Sequence, residues 1–451
     1  MDFLDQSVLP QSSHHMVLLR YLLVLSYVLF VPYVSVLFGS LAYSLYFKKK
    51  SEKSGDAIHK KFSKDLIDFI TYNKGIAFAL GIIPLLSSVF GYAQLLNKSG
   101  LNVPEFLLIS LIVLIVSVFF IYTYKYTFHL KDIFNFAGKN TKAGDSEQDI
   151  NEDLASYTEK TGTLHRKSGQ YGFILLLISV YLYGGSVELA ADTARWESGN
   201  DILGVIFSIP AVLAFLQFIS GAFALTSVVL LYIYFRPNSE VKIYDEKYGA
   251  FIKKFTLRNG LVATALFPVI FVISLSVRPI NSLSYEFFIT VIAVLILLLF
   301  SAGLFYLMLK EVNVKHVSAL TYVMLLIIML MVIKDQFAFN TSTKFQTALL
   351  SRDYGMHEQK MMEEMGISAP VSGADIYNGR CIACHSFDRK IVGPAYNQTL
   401  PKYEGKKELL VKYILNPVKI NPEYPAMPNQ GLKPQEAEAV VEYLLTTYKK
   451  K

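Results

Sequence analysis

Cys381-Ile382-Ala383-Cys384-His385 lies near the end of a 451-residue chain that has no other cysteine. Two thiols three positions apart, with an imidazole immediately after the second, can form thioether links to both vinyl groups of a haem while the histidine takes one face of the iron. Three other readings compete with this: a redox dithiol, half of a zinc site, or chance. A redox dithiol is expected inside a βαβ pattern, and a structural zinc needs two more ligands at similar spacing. Neither context is visible in the sequence, so the motif predicts one covalently held haem c.

The residues downstream extend the pattern. Gly393-Pro394 follows the motif, then Tyr424-Pro425-Ala426-Met427-Pro428, then a stretch from about Pro434 to Lys449 in which Ala437, Val440, Val441 and Leu444 recur at helical spacing. This arrangement resembles a class I cytochrome c over roughly residues 370 to 451. The resemblance implies a helix over Ala374–Arg380, thioether attachment at Cys381 and Cys384, and His385 as the proximal iron ligand. It further implies that the Pro394 carbonyl orients that histidine, that Met427 is the distal iron ligand, and that a last helix crosses the first. Met356, Met361, Met362 and Met365 are other methionines near this region, but they precede the motif, whereas Met427 sits in a proline-flanked loop after it. With both axial positions filled the iron has no open site, and the expected task is electron transfer. A domain this small buries little core of its own, so the porphyrin is expected to supply much of its interior.

The rest of the chain has another composition. Hydrophobic residues make up 53% of the sequence and charged residues 18%, which places the chain among membrane proteins. Apolar runs fall at about 16–46, 75–96, 105–124, 170–190, 202–235, 260–277, 286–309 and 317–333. Each is near or above the roughly 20 residues that span a bilayer, so about eight transmembrane helices are expected, the first and fifth being longer than needed. The opening segment lacks a basic start and its apolar run exceeds a signal-peptide core, so it reads as a first transmembrane helix.

Lysines and arginines set the expected orientation. Lys48, Lys49, Lys50, Lys53, Lys60, Lys61 and Lys64 follow the first span. Lys125, Lys131, Lys139, Lys142, Lys160, Arg166 and Lys167 lie between the third and fourth, and Arg236, Lys242, Lys247, Lys253, Lys254 and Arg258 follow the fifth. The alternate connections hold Lys98, Arg195 and Arg278, and Asp2 and Asp5 precede the first span. The basic loops are therefore expected in the cytoplasm, with both termini outside. That places the haem motif in the periplasm of a bacterial cytoplasmic membrane, where c-type haem is attached. The net charge of +7 follows from this loop bias, and no nucleic-acid partner is implied.

The expected fold class is all-α: a polytopic membrane helix bundle, both termini outside, fused to a small all-α class I cytochrome c domain. The expected boundaries are a transmembrane domain at 1–335, a linker or stalk at 336–372 and the cytochrome c domain at 373–451. The stalk is expected to be helical or partly ordered, keeping the haem near the membrane. The polar segment 138–163, with Asp145, Glu147, Asp149, Glu152 and Asp153, reads as a mobile connection.

The membrane half offers few obvious ligands. His14, His15, His129, His165 and His316 lie near span ends and read as interfacial side chains. Arg20, Glu188, Asp192 and Gln217 are the notable polar groups in or near the spans, and their sparseness argues against a pump or ion transporter. His14, His15 and Arg20 form a candidate site for a quinol head group or a haem propionate, against the alternative of a snorkelling arginine. Leu29-Phe30-Val31-Pro32 and Gly75-Ile76-Ala77-Phe78-Ala79-Leu80-Gly81 are similar to the first two helices of subunit I of cytochrome bd quinol oxidases. That resemblance implies the architecture only. Tyr27 and Gln217 stand where haem-ligating histidines would be expected, and Glu105 alone stands at the start of the third span, where the family has paired carboxylates.

Three functions follow. The chain is an electron-transfer subunit of a larger respiratory complex, passing electrons between a quinol-linked donor and a periplasmic acceptor. Alternatively it is a bd-like quinol oxidase or quinol:cytochrome c oxidoreductase with b or d haems, or bound quinone, in its membrane half. The third reading is a structural anchor or haem sensor. The implied partners are lipid, other respiratory subunits and a periplasmic redox protein.

Overall fold

The computed structural model describes residues 11–140, 148–197, 200–237, 239, 245–311, 313–365 and 372–450. Asp2, Asp5, Lys142, Asp145, Glu147 and Lys242 lie outside the described residues. The chain divides into two compact units, Met1–Tyr354 and Gly355–Lys451, and among the described residues there is no β-strand.

The first unit is built from α1 (Ser13–Ser54), α2 (Ala57–Ile70), α3 (Lys74–Leu95), α4 (Val103–Asn140) and α5 (Gln148–Ala191). It continues with the short α6 (Ile202–Ile206), α7 (Ile209–Phe235), α8 (Glu246–Ser276), α9 (Tyr285–Glu311) and α10 (Val317–Ser342), and α11 (Lys344–Glu364) leads on into the second unit. Among the described residues eight helices are long and apolar enough to cross a membrane: α1, α3, α4, α5, α7, α8, α9 and α10. The protein is membrane-integral.

Two elements differ from the apolar runs. The run at 202–235 is not one long helix, because the chain breaks at Phe207-Ser208. There Pro210 supplies no backbone donor to a preceding turn, and the Ser208 hydroxyl caps α7 by accepting from Ala211 N at 3.2 Å. Conversely α4 and α5 run far past their apolar windows, so the polar segment from Gln148 onward is helix.

In lipid there is no hydrophobic drive between helices, so close backbone approach and small polar side chains do the joining. α4 and α5 pair along a seam in which Ser110 and Ser179 each donate to the other's carbonyl at 2.9 Å and Ser117 donates to Gly172 O at 2.7 Å. α1 meets α7 at Gly39, where a Cβ would sit 2.8 Å from that of Thr226, and the Thr226 hydroxyl donates to Ser35 O at 3.3 Å. α2 is amphipathic and lies against α1 and α8 through Phe47, Phe62, Phe251 and Phe255. Its polar face holds α4 through Lys60 and Lys64 on Asp132 and His129 on Asp68.

His165 departs from the interfacial expectation. It is 1% exposed, its ring stacks on Tyr124 at 4.4 Å, and its Nδ1 lies 3.1 Å from both Thr127 Oγ1 and the Tyr124 carbonyl. Backbone and hydroxyl partners between α4 and α5 replace the water it would otherwise need.

In the second unit, α12 (Gly373–Ile376) runs into a π-helical turn over Tyr377–Cys381. Short helices α13 (Tyr396–Thr399) and α14 (Lys407–Leu415) follow, and α15 (Pro434–Lys450) ends the unit. α15 turns Ala437, Val440, Val441 and Leu444 inward, each at most 1% exposed. α12 crosses it so closely that a Cβ on Gly373 would overlap the Ala439 carbonyl, which only glycine avoids.

Candidate functional site

Cys381 ends the first helical segment of the small unit, and residues 382–384 form a turn that returns His385 alongside it. Cys384 N and His385 N both donate to Cys381 O, at 3.1 and 2.9 Å, so the motif is one compact turn. Neither cysteine is in a disulfide, and Cys381 is buried.

The His385 ring is fixed on two sides. Its Nδ1 lies 3.0 Å from the Pro394 carbonyl, so Nδ1 carries the proton and donates it, leaving the Nε2 lone pair available. One face stacks on Tyr396 at 5.0 Å with an interplanar angle of 11°. Gly393 packs against the ring edge; a Cβ there would lie 2.7 Å from Nε2 and 2.8 Å from Nδ1. Two turns of backbone bonding, Gly393 N to Cys384 O at 2.8 Å and Tyr396 N to Ser386 O at 2.9 Å, hold the Gly393-Pro394 loop against the motif.

Met427 is half-buried in the loop between α14 and α15. Three contacts anchor that loop. Arg380 donates to Gln430 O at 2.7 Å, Asn429 donates to Leu415 O at 3.1 Å, and the Lys390 ammonium sits 4.5 Å from the Tyr424 ring centroid. The first contact joins the residue before Cys381 directly to the methionine loop.

The donor set suits a haem: two unpaired thiols, an imidazole with one nitrogen already committed, and a thioether in an anchored loop. The apolar surface suits it too. Ile382, Ile391 and Val392, which flank the motif and its return loop, are 42–48% exposed, as a bulky apolar partner requires.

The membrane unit carries a polar site that the spans did not reveal. The Arg278 guanidinium, 8% exposed, donates to Glu188 and to Asp335, both at 2.7 Å, and Lys334, 1% exposed, contacts Asp335 at 2.5 Å. In the sequence Arg278 lies in a connection between spans, and Lys334 and Asp335 directly follow the last apolar run. Their association brings the final turns of α5 and α10 together with the segment that leaves α8. Next to them is a cavity of about 170 Å³ whose lining includes Tyr27 and Gln217. His14, His15 and Arg20 do not line it. His14 and His15 are exposed on the first turn of α1, and Arg20 donates to Thr347 at 2.6 Å.

The small unit thus defines a haem-binding helical domain of the electron-carrying kind, joined in one chain to a membrane bundle. A family model described as cytochrome c matches residues 371–448. Cytochrome c-551 of Pseudomonas denitrificans is 32% identical over 80 residues, covering 96% of that protein and 17% of this chain. The chain belongs to the cytochrome c family through this domain, which carries covalently bound haem c and serves electron transfer. No solved structure gives a significant match.

Proposed function

We propose that the chain is a membrane-integral monohaem cytochrome that passes electrons between a quinol-linked respiratory donor and a periplasmic acceptor, as a subunit of a larger complex. Cys381 and Cys384 would hold the haem through thioether bonds, His385 Nε2 and Met427 Sδ would ligate its iron, and Pro394 O fixes the histidine. The bound group supplies a one-electron couple, and with both faces filled it supplies no site for a substrate. The single observation that carries this reading is the Nδ1 bond from His385 to Pro394 at 3.0 Å, which commits one imidazole nitrogen and leaves the other for metal.

The lysine and arginine bias supports a bundle with both termini outside, and so a haem domain in the periplasm. Support for the common outer end comes from Glu188, Arg278 and Asp335, which close one polar cluster where α5, α8 and α10 finish. The reading with further haems in the membrane half finds less support, because among the described residues no histidine lines the cavity beside this cluster. A reduced-minus-oxidised spectrum with haem staining tests the proposal. A c band alone, reducible by quinol, is expected, together with impaired attachment in Cys381→Ser and Cys384→Ser. An added b or d band, or a haem that quinol never reduces, overturns it.

A further inference from the structure

The cavity in the membrane unit has apolar walls from α1, α5, α7, α8, α9 and α10, with Phe215, Phe267 and Met324 among them. Its polar lining is unevenly placed. Glu188, Arg278, Lys334 and Asp335 stand together on one side, and the Gln217 amide stands apart from them on α7. Two positive and two negative groups balance, so an occupant with a net charge would always meet an opposing pair. A phosphate head would face Glu188 and Asp335, and an ammonium would face Arg278 and Lys334. A neutral head with hydrogen-bonding atoms meets no such penalty.

Two polar groups have capacity to spare. The Tyr27 hydroxyl belongs to a side chain 5% exposed; it comes near Tyr92 and Ser88 but completes no hydrogen bond with either. The Gln217 amide accepts from Ser274 at 3.3 Å, while its NH2 reaches only the Met331 sulfur, at 4.0 Å. A buried hydroxyl such as that of Tyr27 normally has a partner, and the partly buried Gln217 NH2 has only a weak one.

We propose that this cavity binds the ring of a membrane quinone or quinol, one ring oxygen toward the Arg278 cluster and the other toward Gln217, with the tail running out among apolar walls. This rests on the reading of a quinol-linked donor and gives it a location. A lipid tail in the same place would leave the Gln217 NH2 with only the Met331 sulfur and the Tyr27 hydroxyl with no partner.

The test uses the full-length haem-loaded protein in nanodiscs. Trp196 is the chain's single tryptophan, and its indole donates to Leu189 O, next to Glu188 in sequence. Short-chain naphthoquinone and benzoquinone are titrated while its fluorescence is read. Saturable quenching is expected. Gln217→Leu removes one neutral hydrogen bond and should weaken binding about fivefold. Gly184→Leu should abolish it, since a Cβ at Gly184 meets only Ala214, at 3.9 Å, and a larger side chain there fills the cavity. Haem content and melting temperature should hold in both variants. Non-saturable quenching, unchanged affinity in Gln217→Leu, displacement by short-chain phosphatidylglycerol, or a b-type band overturns the site. Quinol-driven haem reduction is measured separately. Reduction that survives with affinities unmoved by either variant rejects this cavity and spares the donor reading, whereas variant-sensitive binding without reduction does the reverse.

Discussion

Gly393→Ala is the most direct probe of the haem domain. The added Cβ would overlap His385 Cε1 and lie 2.7 Å from Nε2 and 2.8 Å from Nδ1, where ordinary contact begins at 3.4 Å. The overlap with Cε1 sets the displacement, and the ring must retreat from the loop by about 1 Å. Pro394 belongs to that same loop, so its 3.0 Å bond to Nδ1 opens to about 4 Å, beyond hydrogen-bonding range. A neutral bond of this kind contributes about 0.5–1.5 kcal/mol. Donation from Nδ1 makes the imidazole a stronger ligand and favours oxidised iron, so its loss should raise the reduction potential. With 59 mV corresponding to about 1.4 kcal/mol for one electron, the rise should be roughly 20–60 mV. A redox titration of the haem absorption band on the full-length protein measures it, and disappearance of the low-spin spectrum would be the extreme form of the same displacement. An unchanged potential with an unchanged spectrum refutes the claim that this loop positions the histidine.

Met427→Ala should leave haem attached and lower its potential, on the order of 0.1 V within the ~0.8 V that axial ligands command, and a potential that does not move means another group holds the distal face. Gly39→Leu forces α1 from α7 at Thr226 and should cost about 1–3 kcal/mol, read as a lower melting temperature of the membrane unit in detergent; an unaltered melt would show that the crossing is loose. Arg278→Met strands Glu188 and leaves Asp335 with Lys334 alone, and should cost about 2–4 kcal/mol, below the ~3–5 of a fully broken enclosed pair because Asp335 keeps that partner; thermal unfolding followed by circular dichroism checks it, and a neutral result would make the cluster incidental.

What the sequence discloses is whatever lies within one helix or one short motif. The stripe Ala437, Val440, Val441, Leu444 is buried as its spacing predicts, and the apolar runs become membrane-length helices. What it hides is assembled across elements. Arg278 reads as a loop cation and Asp335 as a flank until α5 and α10 bring Glu188 and Asp335 within 2.7 Å of the guanidinium. Nothing near His165 in sequence foretells Tyr124 from the preceding helix stacking on its ring. Gly373 and Gly393 likewise look like ordinary glycines; their necessity depends on the Ala439 carbonyl and the His385 ring, partners that only the tertiary fold supplies.

The charged cluster also bears on why the bundle tolerates such groups at all. Each ion taken out of water costs several kcal/mol, and the attraction between partners offsets that only with good geometry. Here one guanidinium serves two carboxylates, and one carboxylate serves two cations, so four charges need only three contacts. Stability alone would be met as well by apolar side chains of similar volume. What apolar side chains would not provide is a neutral but strongly polar wall beside an apolar cavity, held by residues on α5 and α10 and by the turn leaving α8. Retaining the ions is therefore better explained by what the cavity binds than by what the bundle needs to fold, which is why Arg278→Met, unlike Gly39→Leu, should impair quinone binding even under conditions where the variant remains fully folded.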